Sequence, residues 1–140
     1  MISKSFASTI NNINAENGII ALMYHRFDEN KYPSTNVRNE NFLEHLAAIR
    51  DSDIEFITFK EFEVSINSEI DKNFILLTID DGFESFYINA WPILKSKKIP
   101  FILFISTREV GKNGYMNWEQ IKEVSSNNLA TIGNHSHTHE

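Results

Sequence analysis

The 140-residue sequence contains no cysteine. That absence excludes a disulfide framework, a thiolate nucleophile and a cysteine-based zinc site, and it leaves histidines and carboxylates as the side chains able to hold a transition metal. Long hydrophobic runs are missing too. Runs such as Ile19–Tyr24 and Phe74–Leu77 fall far short of the ~20 residues that a transmembrane helix needs, so no membrane span is expected. Residues 1–17 form a polar N-terminal segment without the apolar core of roughly 7–15 residues that marks a secretory signal peptide. Positive charge is scarce: 13 Lys and Arg stand against 19 Asp and Glu, a formal charge of −6 with no basic cluster, which argues against nucleic acid as a partner.

What is present is enough for one core. At 41% hydrophobic and 23% charged, the chain reads as globular, and a chain of this length buries roughly 68–70% of the surface it exposes when unfolded. Five short apolar runs, Gly18–His25, Asp53–Thr58, Asn73–Asp80, Pro100–Thr107 and Leu129–Gly133, alternate with segments of helical period. This is the pattern of successive βα units around a parallel sheet. Four of the five runs lack alternation, as expected of strands covered on both faces.

Four helices are predicted between them. Phe42, Leu46 and Ile49 share one face of the first, and Thr58 with Glu61 can form a capping box at the start of the second. The third, Glu84 to Lys97, must kink or restart at Pro92. The fourth opens on a second capping pair, Asn117 and Gln120, with Ile121 and Val124 on one face. Right-handed crossovers would close such units into an open doubly wound sheet or into part of a barrel, and the pattern alone does not choose.

Two motifs could carry chemistry. Thr78-Ile79-Asp80-Asp81-Gly82 ends the third run, and two adjacent carboxylates at the end of a buried strand are costly unless a cation is present. The plainer alternative is that an Asp caps the next helix and Gly82 makes the turn. Three of the five histidines fall in the last six residues, as His135, His137 and His139. If the chain turns helical after Gly133, His135 and His139 share a face and can grip one ion; if it stays extended, all three share a face. A solvated tail or a purification-tag remnant are the alternatives. Both motifs, and His25, sit at strand C-terminal ends, where parallel α/β folds place their sites. One carboxylate with two histidines suits a hydrolytic zinc or related divalent ion, with the second Asp free as general base. His25 supports a structural hydrogen bond as readily as a functional role, and His45 reads as a surface residue.

Thr78-Ile79-Asp80-Asp81-Gly82-Phe83 resembles the first motif of the polysaccharide deacetylases (carbohydrate esterase family 4, the chitooligosaccharide deacetylase or NodB homology domain), usually T-F-D-D-G. His135-Ser136-x-x-His139 resembles their second motif, H-[S/T]-x-x-H, and Leu22-Met23-Tyr24-His25, Trp91-Pro92-Ile93-Leu94 and Met116-Asn117-Trp118 fit the flanks. The first flank is similar to the branch acting on poly-N-acetylglucosamine. The resemblance implies a metal-dependent hydrolase removing N-acetyl groups from an amino-sugar polymer or oligomer of poly-N-acetylglucosamine, chitin or peptidoglycan type, with release of acetate. Asp81, His135 and His139 would bind the divalent metal, zinc first and cobalt or nickel as others, and Asp80 would be the base that deprotonates the attacking water. Within the matched stretches His25, Gly82 and Trp118 are the substrate-binding candidates.

The implied fold is a parallel-stranded (β/α) barrel-like α/β fold, incomplete, with about five βα units of a distorted seven-stranded barrel. Residues 18–140 would then be the N-terminal part of a deacetylase domain. The family's Arg-containing, Asp-Trp and Leu-x-His segments are absent from these residues, so the expectation is a fragment with little activity alone, and a missing C-terminal half of the barrel as its partner. Family members are often extracytoplasmic. The rival readings are a non-catalytic metal-binding module and a divalent-metal glycosyltransferase; the latter would need a phosphate cradle that the sequence does not display.

Overall fold

The computed structural model describes residues 17–139, so most of the polar segment 1–17, and Glu140, lie outside the described residues. The elements in chain order are β1 (Ile19–Tyr24), β2 (Arg26–Phe27), β3 (Asn36–Val37), α1 (Asn39–Arg50), β4 (Glu55–Phe56), α2 (Phe59–Ser65), β5 (Phe74–Ile79), a π-helical turn (Phe86–Ala90), α3 (Trp91–Lys97), β6 (Phe101–Ile105), α4 (Trp118–Ser125) and β7 (Ala130–Asn134). The five expected strands are present and every ladder between them is parallel. The small β2–β3 pair was not anticipated, because two-residue strands leave no periodic signal.

The sheet runs β1-β5-β6-β7, with β4 added beside β5. β1 pairs β5 along all six residues, Ile19 opposite Phe74 through Tyr24 opposite Ile79. The other edge of β5 is shared: β4 takes Phe74 and Ile75, and β6 takes Thr78 and Ile79. This explains why the run Asp53–Thr58 yields only a two-residue strand. No helix of the described residues is long and apolar enough to cross a membrane.

β5 and β6 are buried on both faces, and Leu77, Ile79 and Leu103 are sealed from solvent. They pack with Phe86, Phe101 and Leu94, and burial of each such side chain is worth about 1.5–3 kcal/mol. β1 departs from the expectation. Met23 is 56% exposed, and among the described residues β1 has a strand on one edge alone.

Both capping boxes form. Thr58 Oγ1 accepts from Glu61 N–H while Thr58 N–H donates to Glu61 Oε2, and Asn117 with Gln120 repeats the exchange. Phe42, Leu46 and Ile49 are the buried face of α1. The predicted long third helix is split: a π-helical turn ends at Ala90, and α3 restarts with Pro92 in its first turn, where its missing N–H costs nothing. His45 is not a plain surface residue. It is half-buried on α1 with Nδ1 2.7 Å from the Tyr24 hydroxyl, and burial pulls its pKa down, partly opposed by Glu44.

Candidate metal centre

Four strand ends meet at one side of the sheet. The backbone ladder continues past the strands, Asp80 N–H to Tyr24 C=O at 2.9 Å and His135 N–H to Ile105 C=O at 3.0 Å, so residues following β1, β5, β6 and β7 are level with one another. Asp80 and Asp81, each 8% exposed, lie in the middle. Neither caps the helical segment that follows, whose N-cap is Ser85.

The chain turns abruptly there. Asp81 and Gly82 both adopt left-handed backbone, φ 74° and 73°. For Asp81 this is strained, and such strain persists where surrounding structure over-determines it. Gly82 suits the left-handed φ, and a Cβ there would stand 2.8 Å from Ile105 Cδ1, so that the end of the Ile105 side chain would have to shift. The Gly82 carbonyl accepts from Met116 N–H at 2.9 Å, so the contacts seen for this substrate-binding candidate are those of a packed turn.

The last segment is neither helix nor strand. Ser136 and His139 are left-handed, φ 64° and 61°, and Ser136 Oγ accepts from His139 N–H at 2.9 Å, which folds His139 back toward His135. Ser106 Oγ donates to His135 C=O at 3.1 Å, and Arg108 N–H donates to His137 C=O at 3.0 Å, pinning this segment to the loop after β6. His137 turns away, its Nδ1 3.0 Å from Thr107 Oγ1.

The result is convergence. His135 Nε2 lies 3.2 Å and His139 Nε2 2.9 Å from the same oxygen, Asp81 Oδ1. One ligand atom from each of the three residues lies within 4.8 Å of the others, and the two rings are 4.9 Å apart. Yet Oδ1 is buried and neither imidazole meets it in hydrogen-bonding geometry. An orphaned carboxylate oxygen facing two imidazole nitrogens is the donor set of a divalent transition ion, so the residues present fit the metal expected from sequence.

Asp80 stands beside this trio. Burial raises its pKa above the ordinary carboxylate value, and Asp81 adds to the rise, while His135, His25 and His139 favour the ionised form. His25, half-buried at the end of β1, therefore belongs electrostatically to the site. Trp118, 58% exposed at the start of α4, lines a neighbouring hollow of about 340 Å³ with Thr107, Ile132 and Asn134. Asn134 also lines the hollow of about 320 Å³ over His135 and His139, so the two hollows share that residue.

Sequence reading missed three wall residues. Ser106, Glu109 and Tyr115 line a cavity of about 260 Å³ with Asp81, Phe83, Thr138 and His139. Ser106 had a usable signal, a polar residue at the C-terminal end of a buried strand like Asp80; Glu109 and Tyr115 sit in a loop with none. The largest hollow, about 950 Å³, lies at the opposite end of the sheet among Leu46, Ile54, Lys97 and Lys98, away from every metal-ligating candidate.

Residues 67–140, just over half the chain, match the family described as Polysaccharide deacetylase. The chain is 30% identical to the poly-beta-1,6-N-acetyl-D-glucosamine N-deacetylase of Staphylococcus aureus (strain MSSA476), over 87% of its own length and 49% of that protein's. It superposes on IcaB from Ammonifex degensii with a TM-score of 0.78 and 32% identity, covering 86% of this chain and 54% of that one. The de-N-acetylase from Aggregatibacter actinomycetemcomitans, 18% identical with a TM-score of 0.75, covers 84% of this chain and 54% of that one and shares the fold. The chain thus spans about half the length of the relatives it matches, and its parallel-strand α/β architecture is a partial form of their (β/α) barrel. By the match of its second half, by these relatives and by the parallel α/β fold, the chain belongs to the polysaccharide deacetylase family.

Proposed function

We propose that this chain contributes the metal-holding part of an N-deacetylase acting on an N-acetylated amino-sugar polymer, with poly-β-1,6-N-acetylglucosamine as the first substrate to test. The observation that carries the reading is the convergence of His135 and His139 on one buried oxygen of Asp81, with a second carboxylate, Asp80, next in sequence. Asp81, His135 and His139 hold the ion, zinc being the first choice for one oxygen and two nitrogen donors. Such an ion supplies Lewis acidity for amide hydrolysis, activating water and polarising the carbonyl.

The remaining steps belong to the chain's own groups. Asp80 accepts the proton of the attacking water as its oxygen bonds to the acetyl carbon; the C–N bond then breaks, the sugar nitrogen takes up a proton and acetate departs. Beside a bound cation Asp80 would stay ionised against the burial that raises its pKa. His25 flanks the base, and Trp118 offers an exposed aromatic face on which a sugar ring can pack.

The experiment is acetate release from β-1,6-linked N-acetylglucosamine oligomers by the zinc-loaded chain, alone and supplied with the complementary half of a relative's barrel. Asp80→Asn should lower the rate by roughly 10²–10⁴-fold while leaving zinc bound. Release unaffected by Asp80→Asn, or no release in either arrangement, would overturn the reading.

A further inference from the structure

Arg26 follows His25 on β2, yet its charge is enclosed. Its side chain is only 14% exposed, and its guanidinium carbon lies 3.4 Å from the ring centre of Phe83 and 4.1 Å from that of Tyr32. Glu29 Oε2 accepts from Arg26 Nη1 at 2.8 Å, balancing the charge. Phe83 also packs on Tyr115, ring centres 4.8 Å apart, and the two residues form a backbone bridge. A continuous stack, Tyr32, Arg26, Phe83 and Tyr115, therefore ties the turn after β2 to the loop before α4.

The stack grips one particular place. Phe83, 4% exposed, is the first side chain after the left-handed pair Asp81 and Gly82. Two consecutive left-handed residues, one of them not glycine, do not hold themselves; something beyond the turn must fix the direction in which the chain leaves it. Phe83 is held by two contacts, a cation over its ring and a neighbouring aromatic ring. A desolvated guanidinium over a ring is a strong form of this contact, and its planar shape covers the face as an ammonium cannot. Because Glu29 already pairs with Arg26, the cation can stand near the site without opposing the charge of a bound ion.

We propose that Arg26 is a positioning residue for the metal centre: stacked on Phe83, it holds the Asp81–Gly82 turn so that the Asp81 carboxylate is aimed between His135 and His139. This rests on the reading of that trio as a divalent-metal site. Groups that orient a ligand typically contribute 10–100-fold to metal affinity, and the same range is expected here.

The test uses cobalt(II) as the probe, read by its visible absorption and by competition with a chromophoric chelator, alongside melting of the metal-free protein. Arg26→Met should bind cobalt about 10–100-fold more weakly than the parent and shift its absorption bands. Arg26→Lys should recover part of the affinity. Tyr32→Ala removes the outer wall of the stack at a residue 39% exposed, so it should fold even if Arg26→Met does not, and it should weaken binding several-fold. Parent-like affinity and spectrum in Tyr32→Ala and in any Arg26→Met that folds would overturn the positioning role alone. A parent that binds no more cobalt than Asp81→Ala would overturn the metal reading and this proposal with it.

Discussion

The two ends of the sheet differ in kind. The N-terminal end holds the largest hollow, about 950 Å³, rimmed by Arg50, Lys72, Lys97 and Lys98 over an apolar floor that includes Leu46, Ile54 and Phe56. The C-terminal end offers smaller spaces of about 260 and 320 Å³, but Asp81, His135 and His139 line them, and left-handed backbone gathers at Asp81, Gly82, Ser136 and His139. Size does not mark the chemistry. What marks it is left-handed backbone coinciding with convergent donor atoms, since the turns at Asp81, Ser136 and His139 bring three side chains to face one another.

If the N-terminal end serves stability alone, Leu46→Ala, which truncates a side chain 3% exposed, should cost about 2–5 kcal/mol in chemical denaturation and leave one bound ion per chain. Loss of the ion from a folded Leu46→Ala chain would merge the two ends. Gly82→Ala should cost about 1–3 kcal/mol, since the added methyl collides with Ile105 and the backbone is left-handed; unlike Leu46→Ala it should also lower zinc affinity, by disturbing the neighbouring ligand. The smallest effect is the most discriminating. Lys98 after α3 is left-handed, φ 56°, with no ligand role, so Lys98→Gly should stabilise by about 1 kcal/mol with zinc affinity unchanged. Asp81→Gly relieves the same kind of strain but should abolish zinc binding. Equal metal content in the two glycine variants, measured by equilibrium dialysis, would show that the Asp81 carboxylate does not hold the ion.

Much of the fold is legible along the chain because its signals are local. Thr58 with Glu61 and Asn117 with Gln120 mark helix starts at fixed spacing, Phe42, Leu46 and Ile49 mark a buried face, and Pro92 marks a restart. The unalternating runs at β5 and β6 reveal strands covered on both sides. The reduction of Asp53–Thr58 to the two residues of β4 was not legible, since it follows from β4 and β6 sharing one edge of β5. Nor was the partnership of His45 with Tyr24, which joins residues from α1 and β1 across the core.

The site divides in the same way. Asp80-Asp81-Gly82 after an apolar run and His135 with His139 beyond the next-but-one strand identify the residue types and the end of the sheet at which they collect, because parallel strands joined by right-handed crossovers put their C-terminal ends together. Spacing left open whether His135 and His139 would meet on a helix or a strand. The folded chain does neither: two left-handed residues and the Ser136–His139 hydrogen bond bend them onto Asp81, while Thr107 draws His137 aside. Arg26, Tyr32, Phe83 and Tyr115 come together only when loops from three parts of the chain close over the strand ends. Sequence carries what backbone periodicity and capping chemistry determine over a few residues; the aim of these side chains is decided by contacts between residues nearly sixty positions apart, whose pairing exists only in the packed state.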